Sequence, residues 1–122
     1  MSGNNYLLDT NIIIYALKGV ESVKPYFEGD CFISVISEIE ILGIEGVLKK
    51  ELATRRAAVD YCSIIQLTES IKNEAIRIKQ EYKTKIPDAI IAATAIAENS
   101  ILITADKGFK KFKELSLILV NV

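Results

Sequence analysis

The amino-acid sequence predicts a three-layer α/β/α sandwich around a central, mostly parallel five-stranded sheet. Short apolar runs alternate with longer helical patterns along the 122 residues of the chain. These runs are continuously apolar, which is typical of parallel strands that helices cover on both faces. The repeated order of strand and helix implies right-handed crossovers between neighbouring strands, and a single domain over residues 1–122.

The first half of the chain is predicted to contain two strands and three helices. The strands cover residues 6–8 and 31–34, and the helices cover 11–17, 37–45 and 51–61. Both strands are short apolar runs that end at a polar residue. The second helix is predicted from Ile39, Leu42 and Gly43, which share one face at helical spacing. The third helix is mostly polar, so we expect much of it to face solvent.

The second half is predicted to contain three strands and two long helices. The strands cover 64–67, 101–103 and 117–120, and the helices cover 70–82 and 87–99, with a short helix after residue 106. The first of these helices places Ile71, Ala75, Ile78 and Tyr82 at helical spacing. The second has almost no polar face, and such a helix must be buried on most sides.

Composition excludes several classes of protein. Half of the residues are hydrophobic, which suffices for a core without disulfides or metals. No apolar run has the roughly 18–20 residues that a membrane span needs, and the first residues do not resemble a signal peptide. We therefore expect a cytoplasmic protein. The net charge of −1 provides no general attraction to nucleic acids.

The absence of histidine excludes most common catalytic sites. Without histidine there is no Ser-His-Asp triad, Cys-His pair or H-E-x-x-H zinc site. Cys31 and Cys62 have no C-x-x-C spacing, so we do not expect a tetrahedral zinc site. We predict that both are buried, reduced thiols, with a disulfide as the alternative. An enzyme of this composition must use carboxylates, lysines, hydroxyls or a hard metal ion.

Three aspartates lie where the predicted strands end or a helix begins. Asp9 ends the first strand, Asp106 follows the fourth, and Asp88 begins the apolar helix after Pro87. Each alone has a simple interpretation as a helix cap. Ligands of parallel α/β sheets bind beyond the carboxyl ends of the strands, so these acids are expected to converge. Two carboxylates about 4 Å apart repel by roughly 4 kcal/mol at an effective dielectric near 20, and a divalent cation removes that repulsion.

A fourth acid lies in the helix after the second strand. Glu40 shares a helical face with Ile36, Gly43 and Ile44. Glu38 is two residues away on the same helix and therefore points in a different direction. We therefore place Glu40, and not Glu38, in the predicted acidic site.

Four segments of the chain carry a family resemblance. They are LLDTN at 7–11, ISVIS at 33–37 with EILG at 40–43, PDAIIAA at 87–93 and ITAD at 103–106. In this order and at this spacing they resemble the PIN-domain family. The nearest match within that family is to the VapC-type toxins of prokaryotic toxin–antitoxin pairs. The resemblance extends from about residue 6 to residue 112, which is nearly the whole chain.

The resemblance implies a PIN-like fold and a magnesium- or manganese-dependent endoribonuclease with four acids in its site. Those acids are Asp9, Glu40, Asp88 and Asp106. Asn11 matches a position that supports the first aspartate in relatives, and Thr104 matches the hydroxyl residue of the family's T-x-D motif. Ala105 departs from the family, since a polar or basic residue is common there. We expect Asp9 and Asp88 to bind the main ion directly, with Glu40 and Asp106 completing its shell.

Two groups of lysines are candidates for substrate binding. Lys83 and Lys85 precede Asp88, and Lys107 begins a group that follows Asp106. Of these, Lys85 and Lys107 are the predicted contacts to the RNA backbone, although charge runs are often ordinary solvated surface. The resemblance also implies two protein partners, a small antitoxin that blocks the site and a second copy of the chain.

Three other functions compete with a toxin ribonuclease. A housekeeping RNA-processing PIN nuclease would have the same site. A phospho-acceptor receiver domain would have a similar length and layering, but it needs an aspartate after the third strand, where this chain has Thr68 and Glu69. A non-catalytic interaction module could keep the fold without the chemistry, but the four acids are all present.

Overall fold

The computed structural model describes residues 5–122 and confirms the predicted fold class. The strands are β1 (Tyr6–Leu8), β2 (Cys31–Ser34), β3 (Ser63–Ile65), β4 (Ile101–Thr104) and β5 (Leu117–Leu119). The α-helices are α1 (Thr10–Leu17), α2 (Val35–Leu42), α3 (Lys49–Tyr61), α4 (Glu69–Glu81) and α5 (Ile86–Ala97). Two short 3₁₀ helices cover Glu21–Phe27 and Lys107–Lys111.

The sheet has the order β3-β2-β1-β4-β5, and every pairing is parallel. The chain runs outward from β1 in one direction to β3, then crosses to β4 on the other side. The strand order therefore switches at β1, where Leu8 is paired with Ile103 of β4. The carboxyl ends of these two strands lie side by side, and the residues that follow them form the floor of a crevice.

The two faces of the sheet bury different side chains because successive residues of a strand point in opposite directions. Leu7 and Leu102 face one core, which α4 and α5 cover. Leu8 and Ile103 face the second core, which α1, α2 and α3 help to cover. Both faces are dry, which explains why the strands are continuously apolar.

Helix α5 is buried along most of its length, as its composition predicts. The fully or nearly fully buried residues are Ala89, Ile90, Ile91, Ala92, Ala93, Thr94 and Ala95. The small alanine side chains let this helix approach its neighbours closely, and little space remains for added atoms.

We expect Ala93→Leu to lower the free energy of unfolding by about 1–3 kcal/mol through overpacking. The matched control is Ala97→Leu, because Ala97 lies on the same helix and is exposed. Urea denaturation should show the control within about 0.5 kcal/mol of the parent. Equal loss of stability in both variants would contradict the close packing of α5.

Several predicted boundaries are wrong. Helix α2 begins at Val35 because the Ser34 hydroxyl accepts a hydrogen bond from the Ile36 amide at 3.0 Å and caps the helix directly after β2. Ile39 was expected on the inward face, but it is 60% exposed, and Ile41 is the buried residue. The 3₁₀ helix over Glu21–Phe27 was not predicted, since it lacks a helical apolar period and contains a proline.

The third strand also ends earlier than predicted. Strand β3 pairs only with β2, and its last residue, Ile65, is opposite Ser34, where β2 itself ends. Leu67 lies beyond this ladder and is exposed. The apolar run is therefore longer than the strand, because a strand extends only as far as its partner strand pairs with it.

The two cysteines are buried, as predicted, and no disulfide joins them in the structure. Their sulfur atoms lie 3.4 Å apart in the core beneath α3. Arg55 is largely buried, although α3 is mostly polar. Its side chain is only 15% exposed, and it donates a hydrogen bond to the Ile41 carbonyl, joining α3 to α2. Over residues 5–122, no helix has both the length and the apolar character that a membrane crossing requires.

Candidate active site

Asp9 lies directly after β1 and caps α1, with only 6% of its surface exposed. One carboxylate oxygen, Oδ1, accepts a hydrogen bond from the Thr10 amide at 2.8 Å. The other, Oδ2, accepts one from the Thr104 hydroxyl at 2.6 Å and one from the Asn11 side chain at 3.3 Å. Capping therefore uses only one oxygen, while the second is positioned by residues of two neighbouring segments.

Thr104 and Asn11 connect the ends of β1 and β4. The Thr104 hydroxyl oxygen accepts a hydrogen bond from the Asp106 amide at 3.0 Å. The Asn11 side-chain oxygen accepts one from the Ala105 amide at 3.3 Å. Thr104 is fully buried, so solvent does not compete for its hydroxyl, and this hydroxyl orients the Asp9 carboxylate. These contacts place Asp9 and the segment around Asp106 in a fixed relation.

Glu40 is held by a residue that was not among the sequence candidates. The Thr10 hydroxyl donates a hydrogen bond to Glu40 Oε1 at 2.5 Å, and it lies 2.8 Å from the Ser37 hydroxyl. A hydroxyl has only one proton, so Ser37 acts as donor to Thr10 when Thr10 donates to Glu40. Ser37 lies three residues before Glu40 on the same face of α2, and this spacing could have identified Ser37 from the sequence.

Asp88 is not the cap of α5, which corrects the prediction that it caps this helix. The helix begins at Ile86 with Lys85 as its N-cap residue, and Asp88 lies in the first turn. Within residues 5–122 its carboxylate accepts no hydrogen bond and forms no ion pair. Its oxygens are therefore available to an outside cation, and the helix dipole favours a negative charge at this position.

Asp106 differs from the other three acids. Its Oδ1 accepts a hydrogen bond from the Gly108 amide at 2.8 Å and caps the short 3₁₀ helix that follows. The residue is exposed and leaves its second oxygen without a donor among the described residues. Asp106 therefore combines the role of a cap with a position at the border of the site.

Three of the four predicted acids share one pocket. Asp9, Glu40 and Asp88 line a cavity of about 430 Å³ at the carboxyl edge of the sheet. Thr10, Asn11, Ile14, Tyr15, Lys18 and Ile91 complete its lining. Asp106 does not line this cavity, although its segment is tied to Asp9 through Thr104. We refer to this cavity as the acidic pocket.

The acidic groups perturb one another. Burial raises the pKa of Asp9, the hydrogen bonds from Thr104 and Thr10 oppose this effect, and the charges of Asp88 and Glu40 add to the rise. Burial also raises the pKa of Asp88, and the nearby charge of Asp106 raises it further. Ionisation of Asp9 and of Asp88 is therefore less favourable than ionisation of an isolated aspartate, and neighbouring acidic charges contribute to both effects.

The acidic pocket fits a hydrated divalent ion better than a closed cage. Over residues 5–122, no three acidic or cysteine side chains are gathered tightly enough to form a complete metal cluster. Magnesium usually retains several waters and uses only one or two protein carboxylates. Asp9 and Asp88 line the same cavity and offer hard oxygen ligands, so they suit such an ion.

The two predicted substrate lysines have different positions. Lys85 lines a second cavity that also includes Asp88. Lys107 begins the 3₁₀ helix directly after Asp106 and is exposed.

Comparisons with known proteins agree with this architecture. Residues 6–115 match the family described as PIN domain. A structure of VapBC2 from Rickettsia felis, bound to a DNA fragment from its promoter, has a TM-score of 0.81 and 25% identity, covering 96% of this chain and 99% of that chain. A toxin–antitoxin complex from Klebsiella pneumoniae has a TM-score of 0.78 and 31% identity, covering 93% and 95%.

A third structure, DNA-bound VapBC from Salmonella typhimurium, has the same fold at 19% identity. Its TM-score is 0.85, and the match covers 95% of this chain and 98% of that chain. A comparison with curated protein sequences returned no match. The family match covers nearly the whole chain, so the resemblance seen in the sequence motifs is confirmed. The chain belongs to the PIN domain family.

Proposed function

We propose that this protein is a metal-dependent endoribonuclease that hydrolyses RNA phosphodiester bonds and acts as the toxin of a toxin–antitoxin pair. The observation that carries the proposal is the acidic pocket, in which Asp9, Glu40 and Asp88 meet at the carboxyl edge of a PIN-domain sheet. An RNA phosphate is itself anionic. A pocket of carboxylates accommodates it only together with a cation, so the site and the substrate require the same ion.

Asp9 and Asp88 are the proposed ligands of magnesium or manganese, and Glu40 and Asp106 complete the shell. When bound, such an ion polarises a phosphodiester oxygen and lowers the pKa of a water molecule near neutrality. The acids of the chain hold the ion and remain ionised around it. Three of these acids, Asp9, Glu40 and Asp88, come from different elements and line one cavity, which supports the proposal of a shared ion.

Neighbouring polar side chains keep two of these acids in place. Thr104 and Asn11 direct the second oxygen of Asp9, and Thr10 holds the carboxylate of Glu40. Outer partners of this kind contribute 10–100-fold to affinity or activity in many metal sites. We assign Thr104, Asn11 and Thr10 a positioning role, because they act through the acids and not on the substrate.

The toxin role and the partners follow from the structural relatives. Two of these are a VapBC2 structure and a toxin–antitoxin complex, and this chain matches at least 95% of the length of each matched chain. By analogy, we propose a small antitoxin as a protein partner, a second copy of the chain in a homodimer, and a cytoplasmic location. A housekeeping RNA-processing role would use the same site and differs only in the absence of an antitoxin.

The proposal predicts cleavage of single-stranded RNA by the purified chain in the presence of magnesium or manganese. Chelation by EDTA should stop the reaction, and added magnesium should restore it, because without a cation the carboxylates repel the anionic phosphate. Denaturing gels of end-labelled RNA would measure this. The matching DNA strand serves as the comparison. Cleavage that continues unchanged in EDTA would contradict the metal-dependent mechanism.

A further inference from the structure

A second cavity lies beside the acidic pocket and has the opposite charge. It has a volume of about 630 Å³ and is lined by Lys79, Lys83, Thr84, Lys85, Asp88 and Lys111. Asp88 lines both cavities, so they adjoin at the first turn of α5. We refer to the second cavity as the lysine pocket.

Two of these lysines are held in place by the backbone of the segment between α4 and α5. The Lys111 ammonium donates a hydrogen bond to the Lys83 carbonyl at 2.7 Å. The Lys79 ammonium donates one to the Thr84 carbonyl at 2.6 Å. Neither contact neutralises the positive charge. Both reduce the freedom of long side chains, so less conformational entropy is lost when an anion binds.

Within the described part of the chain, no carboxylate forms an ion pair with the lysines of this pocket. Among residues 5–122, the ion pairs involve Lys24, Arg55 and Arg77 as the positive partners. Among the described residues, Asp88 is the one acid that lines the pocket. Burial and the charge of Asp106 raise its pKa, and the charges of Lys111 and Lys85 partly oppose this rise. Four positive charges thus surround one negative charge in a chain of net charge −1.

The lysine pocket also contains a polar group without a partner. The Thr84 hydroxyl is buried, and within residues 5–122 it makes no hydrogen bond. Buried hydroxyls are normally satisfied, so this hydroxyl is a candidate donor to a bound water or to a ligand. The Thr84 hydroxyl is suited to donate a hydrogen bond to a ligand oxygen. The surrounding lysines favour a ligand whose oxygen is anionic.

We propose that the lysine pocket binds the backbone phosphate of the RNA strand next to the phosphate that is cleaved. This inference rests on the proposed ribonuclease function, and it names the path of the substrate beyond the acidic pocket. A strand cut at Asp88 has to continue past that residue, and the lysine pocket begins there. Positively charged grooves are the usual track for a single-stranded backbone. The pocket also explains how a chain without net positive charge can hold RNA.

The test is the affinity of a fluorescein-labelled single-stranded RNA, measured by anisotropy in magnesium with Asp9→Asn in every chain to prevent cleavage. The pocket variant carries Lys83→Gln and Lys85→Gln, because both side chains are exposed and make no hydrogen bond through their ammonium groups within residues 5–122. The control carries Lys49→Gln and Lys50→Gln, which remove the same charge from the exposed start of α3.

We expect the pocket variant to bind about tenfold more weakly than the control. The slope of log affinity against log salt should fall by about 0.7, since the pocket is proposed to hold one phosphate and each phosphate contact contributes about 0.7 for a single strand. Equal affinities of the two variants, or no binding of RNA by either, would overturn the inference. Cleavage by the chain with native Asp9 is measured separately, so a chain that binds RNA through these lysines without cutting it contradicts only the proposed function.

Discussion

We expect Asp9→Asn to reduce RNA cleavage at least about 100-fold while leaving the fold intact. The amide keeps the size of the side chain, and asparagine is as good a helix cap as aspartate. The substitution removes the negative charge of the side chain and one of its two ligand oxygens. Metal ions supply several kcal/mol of charge stabilisation in such reactions, and each 1.36 kcal/mol corresponds to a tenfold change in rate.

The matched control for this substitution is Asp60→Asn. Asp60 is an exposed aspartate near the end of α3, away from the acidic pocket. Both variants should have the circular dichroism spectrum of the parent, and only Asp9→Asn should lose cleavage. For a toxin, the same variant should also lose growth inhibition on expression. An Asp9→Asn protein that cuts RNA at the rate of the parent would disprove the acidic-site mechanism.

The second large effect is the response of stability to metal. Magnesium at about a hundred times its dissociation constant should stabilise the parent by about 2.7 kcal/mol through binding to the folded state. Asp88→Asn should abolish this response and the cleavage activity, because within residues 5–122 the Asp88 carboxylate accepts no hydrogen bond and forms no ion pair, which leaves its oxygens available to the ion. Thermal unfolding with and without magnesium measures the effect. A variant that responds to magnesium like the parent would exclude Asp88 as a ligand.

Without metal, the same substitution should increase stability at neutral pH, on the order of 1 kcal/mol for removal of one repulsive charge. The pKa of Asp88 is raised in the folded state by burial and by Asp106. The folded chain therefore holds this proton more tightly than the unfolded chain, and stability falls as the pH rises from the ordinary carboxyl range through the raised pKa. The advantage of Asp88→Asn should vanish in acid and grow toward neutral pH. An advantage that is independent of pH would indicate another cause.

The sequence by itself determined the layers of this protein and the identity of its main acids. Continuous apolar runs, such as the one that includes Leu7 and Leu8, predict strands buried on both faces. The fully buried pairing of Leu8 with Ile103 agrees with that prediction. Asp9 was predictable because it directly follows such a run. These features depend on the local pattern of apolar and polar residues, so they can be predicted from one short segment of the chain.

Only the tertiary structure decided which side chains meet. Thr10 contacts Glu40 across 30 positions, and Lys111 reaches the Lys83 carbonyl across 28. The structure also separates Asp106 from the pocket that the other acids share, and it leaves Ile39 exposed. Helical periodicity predicts which residues share a face of one helix, but it does not predict how that helix packs against its neighbours. Hydrogen bonds and charge interactions act over a few ångströms, so the site depends on where the folded chain brings distant segments together.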